Sequence, residues 1–222
     1  MSIIPFSEQK TRENSSFVSH KEEVLMITRS LKVKELMALK SQKVLSSPCE
    51  KTKRLLSNYI PIEIHDEDMV NKLFDYYDLK TDKNASFESL YELIKIRESL
   101  NDKGGRDVGY VLERAKRNGE YLRLVKIAVE CLKEFPRGEV LYKLITLRYM
   151  DKQYYLEMKE YRTESEIQRG RIVKDYDVME KLGMSKSVYY DRHNEAIIYL
   201  ALMLFGNDEL LDQIEKQYEA EA

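Results

Sequence analysis

Between residues 175 and 205 two helical patterns are separated by only three residues, and this stretch constrains the chain more than any other. Helix-favouring residues run to Leu182, Gly183-Met184-Ser185 interrupts them, and a second amphipathic run starts at Lys186 and ends near Gly206. Glycine accepts the positive φ that stops a helix, and a serine two residues later can cap the next one. The spacing therefore predicts a helix-turn-helix.

In the second run Tyr189, Ala196, Ile197, Leu200, Met203 and Leu204 recur every three or four residues and form the predicted buried side. Helical geometry then turns Lys186, Ser187, Tyr190, Asp191 and Asn194 outward, in the half that a recognition helix places in the major groove. Asn194 suits a bidentate pair with adenine, and Ser187 can adapt to more than one base. Lys186 and Arg192 suit phosphates, which fix register without reading sequence. With Lys181 and Ser185 these residues make up the predicted DNA-binding set. Val178, Met179 and Leu182 form the inner face of the leading helix, and Met184 plugs the angle of the turn.

Composition agrees with a helical chain. Only eight glycines and four prolines punctuate 222 residues, and 43% of the chain is hydrophobic, with nine methionines and sixteen tyrosines to fill a core. An all-α fold is expected. Two cysteines, Cys49 and Cys131, are too few for a disulfide framework and have no metal-ligand spacing, which fits a reducing compartment. No apolar run reaches the length of a membrane span, so a soluble cytosolic protein is expected.

The net charge of −2 hides a gradient: residues 1–60 carry a balance of +5 and residues 207–222 a balance of −5. A basic segment can approach phosphate and an acidic one is repelled, although solvated helix faces explain both ends equally well.

Taken in order, residues 1–20 read as a mobile lead-in. Val24, Leu25, Ile27, Leu31, Leu36, Leu39 and Val44 predict a long helix over 21–45. Ser46-Ser47-Pro48 and Pro61 predict a linker over 46–65, with a short helix at 51–58 and an extended segment at 59–64. A helical body follows over 66–135, with helices at 66–77, 87–100, 106–116 and 121–135, the last two separated by Asn118-Gly119. Asp78, Asp82, Asn84 and Ser86 sit at calcium-loop intervals, yet Lys80, Lys83 and Ser89 occupy positions that need a ligand, a glycine and a glutamate. Phe135-Pro136-Arg137-Gly138 is the strongest later boundary, setting off a module at 138–206 and an acidic tail at 207–222.

The run Lys181-Leu182-Gly183-Met184-Ser185-Lys186-Ser187-Val188-Tyr189-Tyr190, continued by Asn194-Glu195-Ala196-Ile197, resembles the C-terminal helix-turn-helix of ArpU-like phage transcriptional regulators. That element is in turn similar to region four of bacterial sigma factors. Leu144-Ile145-Thr146-Leu147-Arg148-Tyr149 resembles the helix preceding it, so the likeness covers about a third of the chain, residues 138–206. It implies activation of phage late genes in a bacterial host cell, either by recruiting RNA polymerase or by binding a promoter or packaging-site element on double-stranded DNA. A homodimer is also expected, because one such helix offers a small interface. Two departures stand out: residues 151–174 exceed the usual short link, so an extra hairpin or helix can intervene, and in the second helix Arg192 takes a turn-facing place where an apolar residue is commoner while Asp191 puts an acid on the face meant for DNA.

Two other roles fit the same residues: a phage packaging protein of the small-terminase kind, and a helical interaction module whose corner never meets DNA. An enzyme does not fit, because no nucleophile has a base in register and no glycine-rich stretch carries the lysine of a phosphate loop. No cofactor is expected. His20, His65 and His193 are far apart in sequence, and packing is the expected role of His193. Packing is likewise expected of Tyr154, Tyr155 and Tyr161.

Overall fold

A computed structural model describes residues 43–76, 105–170 and 172–206, together with Glu22 and Val24. Among these residues the chain is all-α, with seven α-helices, one 3-10 turn and no strand. Described residues up to Ser57 and from Val125 onward form one compact unit, and those between Asn58 and Leu124 a second. The predicted lead-in, nearly all of the 21–45 helix, the calcium-like loop, the 87–100 helix and the acidic tail lie outside the described residues.

Helix α1 spans Lys43–Tyr76 without a break, which corrects the predicted linker over 46–65. The cause is a stripe that the prolines do not interrupt. Leu45, Cys49, Thr52 and Leu56 are all buried, at intervals of four, three and four residues. A buried leucine contributes about 1.5–3 kcal/mol, so Leu45 and Leu56 together offset the ~3 kcal/mol that a proline costs inside a helix. Thr52 also donates its hydroxyl to the Pro48 carbonyl at 2.9 Å. Further along, Pro61 is exposed next to buried Tyr59 and Ile60.

Helix α2, Gly105–Cys131, runs straight through Asn118-Gly119, where two separate helices were expected. Glycine in a helix interior costs only about 1 kcal/mol, and Asn118 uses its amide to donate to Asp66 at 3.1 Å instead of making a turn. Burial pushes the nearby Tyr121 hydroxyl up to about 12.

A 3-10 turn at Leu132–Glu134 leads into α3, Gly138–Tyr149. The boundary expected at 135–138 is a bend inside the first unit, because Phe135 stacks on Tyr199 with ring centroids 4.3 Å apart. Arg137 is left-handed at φ 61°. At Gly138 a Cβ would lie 2.3 Å from the Leu132 carbonyl oxygen, so only glycine lets the chain pass.

The long link predicted at 151–174 contains two short helices, α4 (Lys152–Glu160) and α5 (Glu164–Gln168). Asp151 opens α4 by accepting the Tyr154 amide at 2.8 Å, and Glu166 opens α5 by accepting the Thr163 amide at 3.1 Å. Helix α6, Asp175–Leu182, starts with Asp177 accepting the Lys174 amide at 2.6 Å. It ends at Gly183, φ 62°, where the Met184 amide returns to the Met179 carbonyl at 2.9 Å. Ser185 then caps α7, Lys186–Phe205, by accepting the Val188 amide at 3.4 Å.

Helix α7 has two characters. Its first half is amphipathic, and every residue from Glu195 to Met203 is buried. A helix buried on all sides is a core element, and α7 packs against α3, α6 and the 3-10 turn. Lys51 of α1 sits 5.8 Å over the Phe205 ring at its far end.

Candidate nucleic-acid interface

Helices α3 and α6 fix the first half of α7. Tyr189 and His193 face inward as the periodicity predicts, and the His193 Nε2 lies 2.9 Å from the Tyr149 hydroxyl of α3. The His193 ring also stacks on Tyr189, with centroids 5.8 Å apart, so the histidine packs as expected.

Asp175 is the main tie between α6 and its neighbours. Its Oδ1 accepts from the Tyr189 hydroxyl at 2.9 Å and from Arg148 Nε at 3.1 Å, and its Oδ2 accepts from the Tyr190 hydroxyl at 3.1 Å. Arg148 also donates to the Val173 carbonyl. Burial pushes the Asp175 carboxyl up, but the donors Tyr189, Arg148 and Tyr190 outweigh it and hold the carboxyl below its ordinary value. The same cluster, burial first, pushes the Tyr189 hydroxyl up.

The insertion is locked to α6. Arg162, just after α4, pairs with buried Asp177 and donates to the Ile172 carbonyl at 2.7 Å. Lys174 pairs with Glu166 of α5. Lys181 places its ammonium 4.4 Å over the Tyr154 ring of α4. Tyr154 is buried, Tyr155 half-buried and Tyr161 exposed, so packing holds for the first two only.

On the opposite flank of α7, Glu195 is fully buried and accepts from Arg137 at 2.8 Å and Arg192 at 2.9 Å. The Tyr199 hydroxyl donates to the same carboxylate at 3.4 Å. Two guanidiniums against one carboxylate leave a surplus positive charge beside the helix, with Arg137 42% exposed and Arg192 25%.

Of the predicted set, Ser185, Lys186, Ser187, Tyr190 and Asp191 are exposed at the start of α7, and Asn194 is half-buried on the same stripe. Three roles change. Tyr190 is exposed but its hydroxyl belongs to Asp175. Arg192 is engaged with Glu195, so it is not the free phosphate arm that its position suggested, and Lys181 of the predicted set lies against the Tyr154 ring.

Asp175, Glu195 and Arg137 escaped prediction as structural anchors. An acid opening α6 suits the helix dipole and is legible locally. Its partners, 14 and 27 residues away, carry no local signal.

Among the described residues no cluster of histidine, cysteine or carboxylate side chains could hold a metal ion, and no helix is long and apolar enough to cross a membrane. Cys49 and Cys131 are buried. No family model, curated protein or solved structure matches this chain.

Proposed function

We propose that residues 138–206 bind double-stranded DNA through the first half of α7, and that the chain is a sequence-specific transcription regulator of the phage late-gene kind that it resembles. The observation carrying this reading is the Gly183–Ser185 corner: it holds a rigidly backed helix whose Lys186, Ser187, Tyr190 and Asp191 are exposed on one end. One stripe of the helix faces solvent between 186 and 194, with Tyr189 and His193 turned inward, and every residue from Glu195 to Met203 is buried; nine residues rise about 13 Å, close to the ~12 Å width of the major groove.

Electrostatics support the same orientation. The first amides of α7 present the positive end of its dipole, Lys186 adds a charge there, and the surplus charge of the Arg137–Glu195–Arg192 group flanks the helix. One such helix makes a small interface, so a second copy on an adjoining half-site supplies affinity. RNA polymerase is the partner implied for activation.

The test is selection from the encoding genome. Fragmented DNA is bound at physiological salt, recovered, sequenced and mapped by footprinting. A regulator protects a short site beside a promoter. Uniform recovery of all fragments would remove the sequence-specific reading.

A further inference from the structure

Among the outward residues of α7, Tyr190 alone presents a ring, and that ring is held. Its hydroxyl donates to Asp175 Oδ2 at 3.1 Å, and it stands edge-on to Tyr189 at 5.2 Å with an interplanar angle of 78°. Tyr189 is itself buried and donates to the other Asp175 oxygen at 2.9 Å. Arg148 holds that oxygen from α3 at 3.1 Å. A tyrosine has two soft side-chain torsions, and attachment at both the ring edge and the hydroxyl fixes them.

This constrains what Tyr190 can read. Donating to a base would require breaking the bond to a carboxylate already oriented by two other groups. Tyr190 is 39% exposed, and with its hydroxyl proton committed to Asp175 the ring is the apolar surface it can offer a base. Among the groups that B-DNA shows in its major groove, donors and acceptors need polar partners, and the thymine 5-methyl is the apolar one.

We propose that Tyr190 is a specificity-determining residue that contacts a thymine methyl, with Asp175 as the positioning residue that holds its ring. This rests on the DNA-binding reading above and names the base feature that the surface selects. Lys186 and the helix start then supply sequence-independent affinity, and Tyr190 supplies discrimination that does not depend on salt.

The test uses the full chain and the genomic duplex it binds best, with each thymine replaced in turn by deoxyuridine, which lacks only the methyl. Fluorescence anisotropy at fixed salt should show a loss of about three- to fivefold at one thymine per half-site, the worth of one buried methyl. Tyr190→Ala should bind the thymine and uracil duplexes equally. Asp175→Asn should lose the thymine preference while keeping the wild-type salt slope, a split that general destabilisation does not produce. Should Asp175→Asn fail to fold, Tyr190→Phe, which removes only the hydroxyl, should reduce the preference in the same way.

Sequence-selective binding with no uracil penalty at any position would overturn this inference and leave the DNA-binding reading intact. So would an equal penalty in the wild type and Tyr190→Ala. Absence of duplex binding would overturn both.

Discussion

Tyr189 donates its hydroxyl to Asp175 across 2.9 Å, tying the buried side of α7 to the first turn of α6. The angle of the corner therefore depends on a polar bond as well as on the glycine between the helices. Tyr189→Phe should cost about 1 kcal/mol, the net worth of one hydrogen bond. Asp175→Ala should cost about 2–3 kcal/mol, because it leaves the fully buried Tyr189 hydroxyl without an acceptor and Arg148 without its carboxylate. Urea unfolding followed by circular dichroism measures both, and equal losses would show that the carboxylate is not the shared anchor.

Glu195 gives an asymmetric prediction. Arg137 and Arg192 reach solvent, whereas the Glu195 side chain does not. Removing both arginines strands a buried carboxylate with only Tyr199, at a cost of about 3–5 kcal/mol. Glu195→Gln keeps the volume and some acceptor capacity, and its freed guanidiniums turn to water, so it should cost about half as much. A larger loss for Glu195→Gln than for the double arginine variant would contradict this account of the cluster.

The turn at Gly183-Met184-Ser185 was legible because each of its steps is local: a positive φ that favours glycine, a hydroxyl that caps, and apolar periodicity on either side. The same local logic failed at Pro48, Pro61 and Asn118-Gly119, where α1 and α2 run on. There the punctuation is weak: a helix tolerates one glycine at about 1 kcal/mol, and at Pro48 the stripe of buried Leu45, Cys49 and Leu56 runs past the proline. The stacking of Phe135 on Tyr199 was hidden because the two lie 64 positions apart. Among site residues, exposure followed from helical phase and was legible; the commitments of Tyr190, Arg192 and Lys181 to other side chains were not.

Two glycines should respond in opposite directions to alanine. Gly119 lies inside α2 with nothing near an added Cβ, so Gly119→Ala should stabilise by about 0.4–1 kcal/mol. At Gly138 an added Cβ meets the backbone at 2.3–2.6 Å, so Gly138→Ala should disrupt the packing of Phe135 on Tyr199. Thermal unfolding of the two variants checks this, and a tolerated Gly138→Ala would refute the close approach.

Acid should weaken the α5–α6 connection. Lys174 first, then the Thr163 amide and hydroxyl, hold the Glu166 carboxyl down from 4.5 to about 2. A depressed folded pKa contributes stability that is present above the unfolded value and is lost as pH falls through the folded one, here between about 4.5 and 2. Asp175 acts in the same direction. In Lys174→Met the Glu166 carboxyl should titrate closer to 4.5, as read by carboxyl-carbon NMR. No difference from wild type would contradict the pairing.

The central claim is that the exposed start of α7 touches DNA, and the salt dependence of duplex binding tests it most directly. Binding of the wild type and Lys186→Ala to one selected and one scrambled duplex is titrated across a series of salt concentrations. The account predicts weaker binding of Lys186→Ala to both duplexes and a log–log salt slope shallower by roughly one, the signature of one lost phosphate contact. An unchanged slope and affinity on both duplexes would contradict it.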